Sequence, residues 1–231
     1  MLSGFMTDPT GTLIALLLSL PGVILAITVH ESAHGWMAYL LGDDTAKLTG
    51  RISMNPLHHV DFFGLVMLLF FRVGWAKPVV VNLRKFKKPR RDVVLTSLAG
   101  PVTNLILAFF LLLIALAVSL AYSANYMKFG DTTFSTVLYV IMQLFQYAAV
   151  TNLGLGVFNL IPFPPLDGWK VVTSFLPMKV YFTLMKYERY CMIVLMVLLI
   201  TGFLSGPISL AIDGIYGLYY RAGMGILSLF V

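Results

Sequence analysis

Ile24-Leu25-Ala26-Ile27-Thr28-Val29-His30-Glu31-Ser32-Ala33-His34 joins an apolar run to two histidines and a carboxylate, and both fold and chemistry follow from that join. No charged residue lies between Asp8 and Glu31, so the histidines fall in a segment that reads as a membrane helix. Helical residues i and i+4 share a face, which lets both imidazoles reach one metal ion. Glu31 lies about 100° further round at 3.6 residues per turn and can reach a water on that ion. H-E-x-x-H thus supplies two ligands and a general base for hydrolysis. The bland alternative makes His30 and His34 helix-interior histidines satisfied by neighbouring groups. Ionisable side chains at membrane depth are expensive and by default functional, which favours the metal.

Composition fixes the class. Of the 231 residues 59% are hydrophobic and 11% charged, with mean hydropathy +0.88, which excludes a soluble globular domain. Residues 9–29, 93–127, 132–166 and 190–212 are free of charge, and each is long enough to cross an apolar layer of about 30 Å at 1.5 Å per residue. The run 62–71 is too short for a relaxed span and reads as re-entrant or as part of a kinked one. A net charge of +6 is compatible with nucleic acid, but the basic residues cluster beside apolar spans, where they set membrane orientation; no nucleic-acid partner is expected. The single cysteine, Cys191, excludes an intramolecular disulfide and a cysteine-based metal site. Residues 1–8 lack the basic start of a signal peptide, so the first span is expected to be retained.

Along the chain, a first helix over about 12–41 is kinked at Pro21 and stopped by Gly42. Residues 45–54 alternate polar and apolar and 78–83 are β-prone, which predicts a small sheet or hairpin beside the metal helix. Arg84-Lys85-Phe86-Lys87-Lys88-Pro89-Arg90-Arg91 is the densest positive cluster and belongs in the cytoplasm. From there a helix over 93–121 leads out, one over 133–158 returns, and 159–179 is cytoplasmic. His30, His34 and residue 167 then meet at one depth, nearer the cytoplasmic face. A further span follows over 190–204, and 208–219 is another short span or an interfacial helix. The expected fold is a polytopic α-helical membrane protein: about four to six transmembrane helices with a small membrane-associated β-hairpin or sheet, forming one domain over 1–231 in the cytoplasmic membrane. Oligomeric state is not legible.

Two histidines leave a catalytic zinc one protein ligand short. The candidates are Asp167, Asp213, His58, His59 and Asp61. Asp167 sits in Asn159-Leu160-Ile161-Pro162-Phe163-Pro164-Pro165-Leu166-Asp167-Gly168, where three prolines forbid regular helix. Irregular backbone at membrane depth is tolerated only where protein or a water-filled cavity meets it, which suits a site; as a simple turn, its aspartate would cap the next helix. Asp213 more naturally ends a helix. His58 and His59 read as loop histidines, or as auxiliary ligands or cavity-lining groups. Asn104 either pairs helix to helix or donates to a substrate carbonyl.

With these two motifs on the page, the chain resembles the site-2 protease family of intramembrane zinc metalloproteases over most of its length. His30-Glu31-Ser32-Ala33-His34 and Asn159 to Gly168 match the family's two signatures. Residues 42–61, Gly74-Trp75-Ala76-Lys77-Pro78-Val79 and Gly100-Pro101-Val102-Thr103-Asn104 look like its compact prokaryotic members without a PDZ domain. The C-terminal spans depart in length and regularity. The resemblance implies one Zn2+ per chain held by His30, His34 and Asp167, with Glu31 as general base and Asn104, Asn159 and His58 as candidate substrate contacts. It implies transmembrane-helix proteins as substrates, cleaved in the lipid bilayer. Two other functions fit the residues less well. A metal transporter or sensor would string His30, Glu31, His34, His58 and His59 along a path; an inactive scaffold would bind single-span proteins without cutting them.

Overall fold

The computed structural model describes residues 8–71, 76–177, 180 and 186–230, except for the side chains of 68–71. Residues 1–7, where the start of the chain was judged, and Gly74 and Trp75 of the stretch quoted above lie outside them.

Helix α1 spans Pro9–Leu40. Asp8 caps it, accepting from the Gly11 N–H at 2.9 Å, and Pro9 occupies the first turn, where a missing N–H costs nothing. Gly42, with φ +106°, ends it: Gly42 N–H donates to Tyr39 O and Asp43 N–H to Ala38 O, a Schellman closure that only glycine enters without strain. Helix α4 (Pro89–Phe129) and helix α5 (Thr133–Asn159) form an antiparallel hairpin closed at Gly130, where Ser135 Oγ donates to Asn125 Oδ1 at 2.9 Å. These three helices are long and apolar enough to cross a membrane.

The three pack together through small residues. A Cβ on Gly22 of α1 would lie 2.6 Å from Ala148 Cα of α5, and one on Gly156 of α5 would lie 3.1 Å from Pro101 O of α4. Close backbone approach replaces the hydrophobic drive that is missing in lipid. Leu111, Leu112, Leu116, Ala148 and Ala149 form the buried cluster, while Ile106, Phe110 and Ile114 stay exposed on one stripe of α4, as a lipid-facing surface requires. Helices α7 (Glu188–Ile200) and α8 (Ser205–Leu227) meet at a 76° bend and qualify as a span only together, giving three or four candidate spans among the described residues, against the expected four to six. Helix α8 leans on α4 at Gly223.

The expected hairpin or sheet is not found among the described residues. Thr45–Leu48 is a one-turn helix, α2, with Leu48 N–H donating to Asp44 O. Of its alternating apolar positions Ala46 is buried against Gly35 while Leu48 is exposed, so the alternation does not mark two faces of a strand. Buried Asp43 starts the turn by accepting from the N–H and hydroxyl of Thr45. Residues 77–82 run extended without a ladder, apart from an isolated Val60–Ala76 bridge at their start. Two of their amides are spent on carboxylates: Val79 N–H donates to Glu31 Oε2 and Asn82 N–H to Asp43 Oδ2. Helix α3 (Phe62–Phe71) has ten residues and cannot cross a bilayer by itself.

Candidate metal centre

Helix α1 carries His30 and His34 one turn apart, facing α4. Thr96, Gly100 and Asn104 of α4 stand at four-residue spacing and so share the opposing face. His34 Nδ1 donates to Thr96 O at 2.7 Å, and His30 Nδ1 donates to Asn104 Oδ1 at 2.7 Å. A backbone carbonyl accepts two hydrogen bonds, so Thr96 serves His34 without leaving its helix. Each ring is thus left with a bare Nε2.

Those two Nε2 atoms lie 3.0 Å apart, and Asp167 Oδ2 lies 3.1 Å from His30 Nε2 and 3.0 Å from His34 Nε2. All three side chains are buried. Asp167 starts helix α6 (Asp167–Thr173), and Gly168 seats it: a Cβ there would stand 2.3 Å from Leu160 O, so only glycine lets the turn close on the end of α5. The other carboxylate oxygen, Oδ1, pairs with Lys170 Nζ at 2.9 Å.

Gly100 completes the enclosure. A Cβ there would lie 2.5 Å from His34 Nε2 and 2.8 Å from His30 Cε1, so the α4 backbone is flush against both rings. The fit to a metal follows from this donor set. Two imidazole lone pairs and a carboxylate oxygen, all acceptors, cannot satisfy one another at 3 Å; a cation among them can. Zinc bonds of about 2.0–2.2 Å at tetrahedral angles put ligand atoms roughly 3.3 Å apart, close to the spacing seen.

Glu31 stands beside the centre, half-buried, with Oε2 accepting from Val79 N–H at 3.0 Å. A ring of contacts holds it there. Ser32 Oγ donates to Ser53 O at 2.6 Å, His59 Nε2 donates to the same carbonyl at 2.7 Å, and His59 O accepts Lys77 N–H at 2.8 Å, two residues before Val79. His59 is fully buried, and burial lowers its pKa, which favours the neutral ring. The sequence offered His59 as a ligand candidate, but its part in steadying Glu31 runs through backbone partners that no motif displays. Gly100 was visible only inside a quoted motif; its spacing from Thr96 and Asn104 was the available signal.

Among the described residues His30, His34 and Asp167 are the group that converges. Asp213 is exposed on α8, Asp61 caps Gly64 N–H at the start of α3, and His58 bonds Gly50 O in an exposed loop. Asn104 is fully buried, with both amide hydrogens spent on Ala26 O and Asn152 Oδ1; donating to a substrate would require giving one up. Asn159 ends α5 and donates to Leu155 O at 3.0 Å.

Apolar helices enclosing a two-histidine, one-carboxylate centre with a second carboxylate alongside are the makings of a membrane metallohydrolase. The chain belongs to peptidase family M50, the site-2 protease family of zinc metalloproteases: that family's model matches residues 18–202. It is 44% identical over 181 residues to "Putative zinc metalloprotease YwhC" of Bacillus subtilis (strain 168), covering 78% of each chain. Proteins named Rip2, with the same description, are 28% identical in Mycolicibacterium smegmatis (82% of this chain, 69% of the relative) and 26% in Mycobacterium tuberculosis H37Rv (89% and 75%). No solved structure matches the chain significantly. Zn2+ is the metal that membership implies.

Proposed function

We propose that this chain hydrolyses peptide bonds within or beside the transmembrane segments of single-span membrane proteins, with zinc held by His30, His34 and Asp167 and with Glu31 as general base. The observation that carries the reading is the convergence of three acceptor atoms inside a bundle of apolar helices, with a tethered carboxylate at their side. When bound, zinc supplies Lewis acidity toward the scissile carbonyl and activates water for attack. Glu31 takes a proton from that water and returns it to the leaving amine; the Val79 N–H holds one of its oxygens and leaves the other for this exchange. Lys170 neutralises the outer oxygen of Asp167 and directs the inner one to the histidines.

A helical substrate hides its amides in its own hydrogen bonds and must unwind to be cut. The extended residues 77–82 suit such a segment: the N–H groups of Val80 and Val81 have no partner among the described residues, so an added strand could pair there. The basic cluster 84–91 lies just before and at the start of α4, which supports placing that end, and with it the site, toward the cytoplasmic face of the cell membrane. His58 Nδ1 and His59 Nε2 are bonded to backbone carbonyls of their own loop, and neither ring joins the converging group, which speaks against a metal transit path.

The test is Glu31→Gln in purified protein with a single-span substrate. Zinc content should match wild type while cleavage falls by at least about a hundredfold, the range general bases contribute. Retained turnover would remove Glu31 from the role.

A further inference from the structure

Asn104 is bonded on every side. Its Oδ1 accepts from His30 Nδ1 at 2.7 Å, and its Nδ2 donates to Ala26 O at 3.1 Å and to Asn152 Oδ1 at 2.9 Å. Asn152, also fully buried, donates from Nδ2 to Ala148 O at 2.8 Å. The bonds set each amide in turn. Asn152 gives its nitrogen to a carbonyl, so its oxygen faces Asn104; Asn104 must meet it with nitrogen, and its own oxygen is left for the imidazole. That oxygen can only accept, so His30 carries its proton on Nδ1 and turns a lone pair toward His34 and Asp167. His34 gets the same instruction from the Thr96 carbonyl, which no side-chain substitution removes. His30 depends on a side chain.

We propose that Asn104, itself oriented by Asn152, is a positioning residue that sets the tautomer and ring orientation of His30 for zinc. The inference rests on the metal-site reading above. Its consequence is that α5, which contributes no candidate ligand, still controls affinity through Asn152. Outer-shell partners of metal-binding histidines fix tautomer and basicity in this way, and their loss costs about 10–100-fold in affinity.

The experiment is a zinc competition titration against a chromophoric chelator, on the full chain in detergent, for wild type, Asn104→Leu, Asn104→Asp and Asn152→Leu. Melting curves recorded in excess chelator report the metal-free fold of each. Asn104→Leu should weaken zinc roughly 10–100-fold. Asn104→Asp keeps an acceptor for His30 Nδ1, while its second oxygen meets Ala26 O and Asn152 Oδ1 in place of two hydrogen bonds; it should still bind zinc more tightly than Asn104→Leu, since the outer-shell acceptor is kept. Asn152→Leu should fall between wild type and Asn104→Leu. Wild-type affinity in Asn104→Leu or in Asn152→Leu would overturn the proposal. So would an Asn104→Asp variant that loses zinc as fully as Asn104→Leu, because the effect would then be packing. If Asn104→Leu does not fold, Asn152→Leu decides by the same criterion. Wild-type protein that binds no zinc would instead overturn the metal-site reading, and this proposal with it.

Discussion

At the scale of single residues, the proposed centre depends as much on an absent side chain as on those present. Gly100 leaves room for two histidine rings that a methyl group would displace, with His34 Nε2 only 2.5 Å from where its Cβ would be. Gly100→Ala is therefore expected to cut zinc content at least about tenfold, as loss of ligand geometry does. The same change at Gly214 on α8, where a Cβ meets nothing within 4 Å, should leave zinc unchanged and slightly favour the helix. Elemental analysis of both variants checks this, and equal zinc in the two would contradict it. The candidate ligands were legible in the sequence because their chemistry is carried by residue type and spacing: two histidines at i and i+4, and an aspartate in a proline-broken segment. Gly100 and Asn104 were legible as a motif but not as parts of the centre, because their partners come from α1 and α5, remote in sequence.

At the scale of elements, apolar runs made the long helices readable, α1 and α5 to within about three residues at each end, whereas α4 runs on to Phe129, beyond the expected end at 121. The connecting segment after α1 was not readable. Alternation over 45–54 predicted a strand, but Asp43 captures the Thr45 N–H and begins a helical turn instead. The β-prone stretch is extended as its composition suggests, yet two carboxylates take amides that a sheet partner would have taken. The segment thereby acquires a different part, linking Glu31 to the loop that carries His59. Val80→Pro and Val81→Pro each remove an unpartnered N–H without touching the bond from Val79. Consecutive N–H groups of an extended segment face opposite edges, so on the strand-addition reading one of the two variants should slow cleavage of a transmembrane substrate by about tenfold, roughly one lost hydrogen bond, with zinc content unchanged in both. Normal cleavage in both variants would count against this edge as the substrate's seat.

At the scale of the whole molecule, α1, α4 and α5 are bound through glycine and alanine crossings, and each has a buried polar group in the one network: the histidines on α1, Thr96 and Asn104 on α4, and Asn152 on α5. Polar side chains are costly in an apolar bundle unless fully bonded, so their meeting at one level signals a site. Asp167 reaches that level from outside the three, on a short helix seated by Gly168 against the end of α5. The most direct test of the proposed centre is zinc per chain in purified protein, wild type against Asp167→Ala, by elemental analysis. About one zinc in wild type, in keeping with a single three-ligand site, falling sharply in the variant, is the predicted result. Full zinc retained in Asp167→Ala would contradict the His30, His34 and Asp167 centre.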